Sequence, residues 1–495
     1  MKPTKEQERI FHFIKNRQDN ILIEALAGSG KTTTLVHASK LLDKSKRILF
    51  LAFNKHIQEE LKEKLPDYIK CYTTYGLGYS AVKRKYPDIE FDEYKVDKII
   101  NKKSSTWNLD EEFSDYEEKS FYLRQLKKLV NHCRLTVTLD KKFIPYLSDK
   151  HELGLNRPED IKRVLKILDV LTTDRKSMDF IDMIFLPAID NGIWMYPFDY
   201  VLVDEIQDFN RAQIKIVEKV LKRDRKFGNY TGRLISVGDF HQAIYGFNSS
   251  DERSFEWFRR FQNTKTLPLS VSFRCPKKVI ETAQRLVPNI KSLDDAPEGI
   301  VRSGDVINEA MSGDLVLCRT TVPLIHLFFE FLVQKKKVFI RGADIGENMI
   351  ELIGEIKTIN ELISHWENEL EVKRKQLYKM GVLNPSEDAG FSNLEDRVST
   401  LLFLAKGSRD IPDLITTIKK IFSDDKNLDG IILSTIHKAK GSEANRVFII
   451  RKDQLPMANV RGWQYVQELN LEYIAYTRAK MELVIDYKWT NEEND

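Results

Sequence analysis

The chain contains 495 residues, of which 42% are hydrophobic and 31% charged, and its formal net charge is +4 at pH 7. At about 150 residues per domain, this length predicts three or four compact units. No apolar run approaches the roughly 18 residues that span a bilayer, and the amino terminus has no apolar signal core. We therefore expect a cytoplasmic protein with no membrane partner. Its cysteines are too scattered for a zinc site or a disulfide framework: Cys71, Cys133, Cys275 and Cys318.

The first chemical motif is a glycine-rich loop between an apolar run and an amphipathic segment. The run covers residues 21–23, the loop residues 24–32 and the amphipathic segment residues 35–42. In this strand–loop–helix order, backbone N–H groups converge on phosphate oxygens at the start of the helix. Lys31 would reach the β- and γ-phosphates of ATP, and the Thr32 hydroxyl would hold Mg²⁺. The other loop residues expected to contact the phosphates are Ala27, Gly28, Ser29 and Gly30.

A second motif follows a strand predicted at residues 200–203. This apolar strand delivers two carboxylates to its carboxyl end, which is where open α/β sheets bind ligands. Asp204 is suited to hold Mg²⁺ through water, and Glu205 to orient and deprotonate the attacking water. The separation from the glycine-rich loop is too long for adjacent strands of a simple sheet. A large insertion must therefore lie between the two motifs.

A third strand is predicted at residues 234–239, and polar and aromatic residues follow it. Gln242 can hydrogen-bond a γ-phosphate, and Tyr245 and Phe247 lie just beyond it, where an aromatic side chain can contact a second ligand. One loop would then couple the state of the nucleotide to a polymer track.

Taken in order, these motifs and several others resemble those of UvrD/Rep-type helicases of superfamily one. The matching segments run from residue 4 to residue 479, and their number and order make the resemblance specific. They are TKEQ (4–7), EALAGSGKT (24–32), LAFNK (51–55), TTYGLG (73–78), DEIQD (204–208), GDFHQAIYGF (238–247), SFR (272–274), STIHKAKGSE (434–443) and YIAYTRA (473–479).

The resemblance implies roles for further residues around ATP. Gln7 would read the adenine and Phe273 would stack on it, with Thr33 at a position that faces the same base. Glu443 would face the ribose. Arg274 would touch the γ-phosphate and Arg478 would be the second arginine finger, because phosphoryl transfer needs cationic charge at the transition state.

The resemblance also implies contacts with a DNA strand. Phe247 would stack on a base, since stacking is a sequence-tolerant way to grip single strands. Phe53 and Tyr75 would contact the strand or, equally well, serve as core aromatics. The complete set of implied DNA contacts is Phe53, Asn54, Thr73, Tyr75, Tyr245, Phe247, Thr435 and His437.

The expected fold is α/β, with two RecA-like P-loop NTPase lobes built on mostly parallel sheets and a helical insertion in each lobe. The first lobe would comprise residues 1–78 and 193–262, and its insertion residues 79–192. The second lobe would comprise residues 263–345 and 430–495, with a reduced insertion at 346–429. Helical spacing in the first insertion is carried by Phe121, Leu123, Leu126, Leu129 and Val130. Within it, residues 179–184 resemble a segment that contacts the strand or supports its channel, although an ordinary helix explains them equally well.

The expected function is that of an ATP-dependent single-stranded DNA translocase and helicase, with 3′–5′ polarity implied by the resemblance. ATP and Mg²⁺ would be its cofactors, and single-stranded or tailed duplex DNA its partner. We expect the protein to be a monomer in isolation. Whether a loading protein is a further partner stays an open alternative. The alternatives are a translocase that displaces proteins without unwinding, and a motor on RNA. A helicase–nuclease, suggested by Asp486 and Lys488, is disfavoured because further metal ligands are missing from that segment.

Overall fold

The computed structural model describes residues 2–113, 116–224, 226–244, 246, 252–354, 356–379, 385, 389–422, 429–458 and 460–487. The chain divides into two units by its internal packing. One contains residues 1–26 and 30–270, and the other contains residues 27–29 and 271–495. Within the described ranges, every helix is too short or too polar to cross a membrane.

The first unit is built on a parallel sheet with helices between its strands. The strands are β1 (Ile21–Ala25), β2 (Ile48–Ala52), β3 (Ile69–Thr73), β4 (Glu90–Phe91), β5 (Ser177–Met178), β6 (Tyr200–Val203), β7 (Arg233–Gly238) and β8 (Lys265–Leu269). The helices are α1 (Lys5–Asn16), α2 (Lys31–Ser39), α3 (Lys55–Lys64), α4 (Thr74–Lys85), α5 (Lys95–Ser104), α6 (Leu109–Glu112), α7 (Tyr116–Thr136), α8 (Ile144–Lys150), α9 (Pro158–Thr173), α10 (Asp182–Ile189), α11 (Arg211–Val220) and α12 (Glu252–Arg260). The main sheet has the order β3-β2-β6-β7-β1-β8, and β4 pairs with β5.

The central strands of this sheet are apolar on both faces. All residues of β2 and of β7 are buried, as expected where helices cover a parallel sheet on both sides. The register places Ile23 opposite Val237 and Leu51 opposite Val203. The carboxyl ends of β1, β6 and β7 therefore meet at one edge of the sheet.

The edge strand β8 belongs to the first sheet, beyond residue 262 where we expected the first lobe to end. It pairs with β1 in parallel from Ile21 opposite Lys265 to Ala25 opposite Leu269. Pro268 has no backbone N–H, so the strand lacks one hydrogen-bond donor. A strand at the edge of a sheet tolerates this and a central strand does not. The same proline weakens the strand pattern in the sequence.

A separate helical core lies between β4 and β5 in the chain. Leu126, Leu129 and Val130 of α7 are fully buried, and Ile167 and Leu171 of α9 complete the same cluster. The helical spacing predicted for α7 thus corresponds to its buried face, with Leu123 packed at the margin.

Two histidines stack in this helical region, which makes its stability dependent on pH. The rings of His132 and His151 lie 3.6 Å apart at 7°. Burial, and then the charge of His151, lower the pKa of His132 from 6.5 to about 3. The unfolded chain therefore binds more protons than the folded one between these values, and stability is lost as the pH falls below about 6.5.

We expect His132→Gln to reduce this pH dependence. The wild-type chain should lose up to about 1.4 kcal/mol per pH unit from this group between pH 6 and pH 4, and the variant should lose that slope. Urea unfolding midpoints at pH 7.5, 6, 5 and 4 measure it. His12→Gln, at an exposed position of α1, is the matched control. Identical slopes in all three proteins would contradict the assignment.

The second unit is also built on a parallel sheet. Its strands are β9 (Val271–Ser272), β10 (Lys291–Ser292), β11 (Ile300–Ser303), β12 (Leu315–Cys318), β13 (Val338–Ile340), β14 (Ile431–Thr435), β15 (Ala444–Ile450) and β16 (Ala479–Asp486). Its helices are α13 (Lys277–Ala283), α14 (Val306–Glu309), α15 (Val322–Val333), α16 (Ala343–Ile353), α17 (Ile359–Lys379), α18 (Ala389–Lys406), α19 (Ile411–Ile421) and α20 (Gly462–Tyr476). The main sheet has the order β11-β16-β15-β12-β14-β13, and β9 pairs with β10. Two parallel six-stranded sheets confirm the predicted α/β class.

Helices α16 to α19 share the hydrophobic core of this second sheet. Leu362, Leu401 and Leu414 are fully buried in one cluster with Leu433 and Phe448 of the strands. The reduced helical segment is therefore packed on the sheet by direct apolar contact.

Candidate nucleotide-binding site

The glycine-rich loop connects the carboxyl end of β1 to the first residue of α2. Gly28 and Gly30 have φ angles of 70° and 77°, a left-handed conformation that glycine adopts without steric cost. Ser29 is buried, and its hydroxyl has no hydrogen-bond partner among the described residues. Because the first N–H groups of a helix lack partners within it, this loop provides donors suited to an anion.

Lys31 and Thr32 lie beside the acidic pair that follows β6. The Lys31 ammonium is 3.4 Å from a carboxylate oxygen of Glu205, and both side chains are largely buried. The Thr32 hydroxyl donates to Asp204 over 2.6 Å. These four side chains, widely separated in sequence, are thus brought together at the carboxyl edge of the first sheet.

Glu205 has an unusual backbone conformation. Its φ is 53°, in the left-handed region that a non-glycine residue enters at an energetic cost. Its backbone N–H donates to Asp204 over 2.9 Å, and its carboxylate accepts a hydrogen bond from the Gln207 amide. The strained turn therefore fixes the direction of the Glu205 side chain relative to Lys31.

The structure adds Gln207 and Asp239 to the site, two residues to which sequence reasoning gave no role. The Gln207 side-chain amide oxygen accepts from the Asp239 backbone N–H over 3.0 Å. Asp239 in turn accepts from the Gln242 amide over 2.7 Å. A continuous chain of hydrogen bonds therefore joins Glu205 to Gln242. Both residues lie within the quoted motifs, which was the only signal available in the sequence.

Two carboxylates of this site have raised pKa values. Burial, and then the charge of Glu205, raise the pKa of Asp204, and burial raises the pKa of Asp239. Removing a carboxylate from water disfavours its charged form, and a nearby cation reverses the effect. The site is therefore one in which a bound cation would stabilise the ionised form of Asp204.

Gln7 and Thr33 lie on the helices that flank the loop. Gln7 completes a capping box with Thr4 at the start of α1, and its amide donates to Thr34 of α2 over 2.9 Å. Thr33 is exposed. Gln7 therefore has a structural role that accounts for its position, whether or not it also reads a base.

A second group of predicted residues lies in the second unit. The Arg274 guanidinium donates to Glu443 over 2.6 Å, and Lys480 forms an ion pair with the same carboxylate at 2.5 Å. Burial raises the pKa of Glu443, but the hydrogen bonds of Lys480 and Arg274 outweigh it and hold that pKa below its usual range. In this state Glu443 neutralises Arg274.

Arg478 is buried without an acidic partner among the described residues. Its guanidinium donates to the carbonyls of Ile474 and Ser442 and to the Thr477 hydroxyl, over 3.0 to 3.3 Å. Burial, and then the charge of Arg274, lower the pKa of Arg478 to about 9. A desolvated cation bonded only to neutral oxygens gains from the approach of an anion.

Residues 27–29 group with this second unit. Ala27 is buried, and the Gly28 carbonyl accepts from the Phe273 backbone N–H over 2.8 Å. A Cβ added to Gly28 would lie 2.5 Å from the Ser272 hydroxyl and 2.7 Å from the Arg274 Cβ. Close approach, as well as its φ angle, therefore requires glycine at this position.

The predicted DNA contacts of the first unit have structural roles as well. Asn54 and Thr73 cap α3 and α4, accepting from Ile57 and Gly76 over 2.9 and 3.0 Å. Phe53 is half-buried. Tyr245 and Phe247 lie outside the described residues.

Tyr75 stacks on an exposed aromatic ring from the segment at residues 179–184. The ring centroids of Tyr75 and Phe180 are 4.3 Å apart at 19°, and Phe180 is 55% exposed. Burial raises the pKa of Tyr75 to about 12, so its hydroxyl stays protonated at neutral pH. The pair offers a partly exposed aromatic surface.

Thr435 and His437 follow β14 in the second unit. Thr435 is buried, and its hydroxyl accepts from the Lys438 backbone over 3.4 Å. Burial, and then the charge of Arg319, lower the pKa of His437 to about 3. His437 is therefore neutral at pH 7 and cannot attract a phosphate by charge.

Comparison with known proteins identifies the family. The family model of the UvrD/REP helicase N-terminal domain matches residues 4–263, and that of the UvrD-like helicase C-terminal domain matches residues 430–485. The F-box DNA helicase protein 1 of Schizosaccharomyces pombe is 26% identical over 98% of this chain and 57% of its own length. The ATP-dependent DNA helicase Rep of Buchnera aphidicola is 26% identical over 54% of this chain and 41% of its own.

A third relative, the ATP-dependent DNA helicase PcrA of Staphylococcus aureus, is 24% identical over 58% of this chain and 40% of its own length. The chain spans about half the length of the curated relatives it matches. The first family model covers more than half of the chain and includes the glycine-rich loop, the acidic pair and Gln242. The chain belongs to the UvrD/REP helicase family.

Proposed function

We propose that this chain is an ATP-dependent single-stranded DNA translocase and helicase with 3′–5′ polarity. The observation that carries the proposal is the hydrogen-bonded chain from Glu205 through Gln207 and Asp239 to Gln242, beside Lys31. A family of helicases whose members include proteins named Rep and PcrA supports DNA as the track.

In the proposed reaction, the residues of the first unit bind and cleave the triphosphate. Lys31 binds the β- and γ-phosphates, and Glu205 orients and deprotonates the attacking water. Gln242 contacts the γ-phosphate, so departure of that phosphate changes the position of Gln242. The hydrogen bond between Gln242 and Asp239 passes this change on to Asp239. Arg274 and Arg478 supply cationic charge to the transition state. Arg274 would have to exchange Glu443 for a phosphate oxygen.

The donor set at Thr32 and Asp204 fits Mg²⁺. A hydroxyl and a carboxylate oxygen lie 2.6 Å apart, and oxygen ligands are those that Mg²⁺ prefers. The raised pKa of Asp204 is what a divalent cation would lower. When bound, the ion would neutralise charge on the phosphates. Thr32 and Asp204 are the side chains that would hold the ion.

The proposal is tested by ATP hydrolysis with and without oligo-dT and by unwinding of duplexes tailed at either end. We expect oligo-dT to stimulate hydrolysis, and only 3′-tailed duplexes to be unwound. Glu205→Gln should lower kcat at least 100-fold while retaining nucleotide binding, because general base catalysis contributes about 10²–10⁴. Glu63→Gln, at an exposed position of α3, is the control.

Hydrolysis that is indifferent to oligo-dT would contradict the proposal. Two further comparisons separate the alternatives. Displacement of streptavidin without unwinding would identify a protein-displacing translocase. Stronger stimulation by poly-U than by poly-dT would identify an RNA motor.

A further inference from the structure

The first unit contains a cavity that none of the motifs accounts for. Its volume is about 890 Å³, and it is lined by aromatic, arginine and glutamate side chains from α11, α12 and the segments that precede β7 and β8. This size is within the range of small-molecule sites, roughly 300–1,000 Å³.

Three aromatic rings form a continuous wall of this cavity. The ring centroids of Tyr230 and Phe261 are 4.9 Å apart, and those of Trp257 and Phe261 are 4.8 Å apart. Phe261 is buried, whereas Tyr230 and Trp257 are partly exposed. Partly exposed π-faces in a concave site are suited to a flat apolar group.

Two arginines line the same cavity. The Arg223 guanidinium lies 4.2 Å from the centroid of the Tyr230 ring. Among the described residues, no carboxylate lies within ion-pair distance of Arg223. Arg260 pairs with Glu256 at 3.2 Å, and its side chain is 82% exposed. The Arg223 guanidinium donates to the Tyr230 hydroxyl and, over 3.4 Å, to the Glu218 backbone carbonyl, so its charge is not neutralised and can attract an anionic ligand.

The two carboxylates of the cavity are already neutralised. Glu218 pairs with Lys215 at 2.6 Å and with Arg211 at 3.5 Å, and Glu256 pairs with Arg259 as well as Arg260. Because each is paired with a cation, they repel an approaching phosphate less than unpaired carboxylates would.

A basic hairpin extends the cavity along the surface. Arg223 and Tyr230 form an antiparallel bridge that closes this turn. Lys226 and Phe227 lie between them; Phe227 is 70% exposed, with the Lys226 ammonium 5.3 Å from its ring centroid. A ligand longer than one nucleotide would meet both a cation and an aromatic face here.

The cavity lies at the edge of the sheet opposite the nucleotide site. Tyr230 and Phe261 precede β7 and β8, whereas Gln242 and the acidic pair follow strand ends. The six residues of β7 separate the two edges by about 20 Å, at about 3.3 Å per residue. The cavity is thus distinct from the site of ATP hydrolysis.

We propose that this cavity binds one unstacked base of a single-stranded nucleic acid, with Arg223, Arg260 and Lys226 on the flanking phosphates. Aromatic faces and rim cations together match a nucleotide. A cationic ligand is disfavoured because Arg223 and Arg260 would repel it. An acidic peptide would use the cations but would leave the aromatic wall without a flat group to stack on it. The inference rests on the proposed function only in taking nucleic acid as the substrate.

Photo-crosslinking of the full chain to a 30-nucleotide oligo-dT containing 4-thiothymidine tests the proposal. We expect cross-links on peptides that carry Tyr230 or Trp257. The charge reversal Arg223→Glu with Arg260→Glu should lower their yield at least fivefold. It should also reduce the slope of log K against log salt by about 1.4, at about 0.7 per phosphate. Lys226→Glu, at an exposed turn, should lower the yield about twofold.

The control is Arg409→Glu with Lys375→Glu, which reverses two exposed cations of the second unit. It should leave the Tyr230 and Trp257 cross-links unchanged, and this control variant should keep oligo-dT-stimulated kcat within twofold. Cross-links elsewhere but none at the cavity would overturn this inference and leave the proposed function standing. Cross-links nowhere would count against both. If dTMP or poly-glutamate displaces the cavity cross-links at concentrations below the Kd of oligo-dT, the site binds a mononucleotide or an acidic peptide. Either result would also overturn the inference.

Discussion

Lys31→Ala is expected to lower oligo-dT-stimulated ATP hydrolysis at least 100-fold. The Lys31 ammonium is the cation nearest the acidic pair, and removing one preorganised charge from a phosphoryl-transfer site costs about 10²–10³ in rate. Nucleotide affinity should also fall, because the same group binds the phosphates before reaction. Steady-state hydrolysis with saturating oligo-dT, together with titration of a fluorescent ATP analogue, measures both effects.

The fold should survive this substitution. Lys31 forms one ion pair, with Glu205, and the loss of this pair leaves Glu205 hydrogen-bonded to Gln207. The expected thermal midpoint is within a few degrees of wild type. Lys40→Ala, at an exposed position directly after α2, should change neither rate nor stability. An unaltered turnover number in Lys31→Ala would contradict the assignment of the site.

Local motifs carried most of what the sequence predicted about the nucleotide site. The loop before α2 and the acidic pair after β6 are contiguous, so spacing and strand context identify them. Their convergence also follows from the sequence, because carboxyl ends of parallel strands meet at one edge. The structure brings Lys31, Thr32, Asp204 and Glu205 together as that rule predicts.

The partners of individual side chains were not predictable. The link from Gln207 to Asp239 depends on the register of β6 and β7, which spacing along the chain does not encode. The ion pair of Arg274 with Glu443 also joins residues far apart in sequence, so their spacing along the chain does not predict it. Strand β8 was missed because Pro268 weakens its pattern, and only its pairing with β1 shows that it is an edge strand.

A buried ion network in the helical region was also missed by the sequence analysis. Arg134 of α7 is fully buried and donates to Asp179 over 2.7 Å and to Asp182 over 2.8 Å. Lys95 of α5, equally buried, donates to Asp182 over 2.7 Å and lies 3.3 Å from Asp174. Burial alone would lower the pKa of Arg134, but Asp182 and Asp179 raise it, so the guanidinium remains charged. The network fixes both ends of the segment that carries Phe180.

Arg134→Met is expected to destabilise the first unit by about 3–5 kcal/mol. Removing one partner of a buried ion pair leaves the other charge unsolvated, and Asp179 and Asp182 cannot both be compensated by Lys95. Arg134→Lys should recover only part of the loss, because an ammonium cannot reproduce the planar, bidentate contact of a guanidinium fork. Urea unfolding followed by far-UV circular dichroism measures these differences. Arg124→Ala, on the exposed face of the same helix, is the matched control.

The same substitution should weaken binding of single-stranded DNA under conditions where the chain is folded. Asp179 and Asp182 flank Phe180, whose ring stacks on Tyr75, so releasing them frees the exposed ring from its fixed orientation. Phe180→Ala should weaken oligo-dT binding by a factor similar to that of Arg134→Met. It should not lower the stability of the fold, since the Phe180 side chain is largely exposed. If Arg134→Met lowers stability but leaves oligo-dT affinity unchanged, the network serves the helical core alone and Phe180 is not held for the strand.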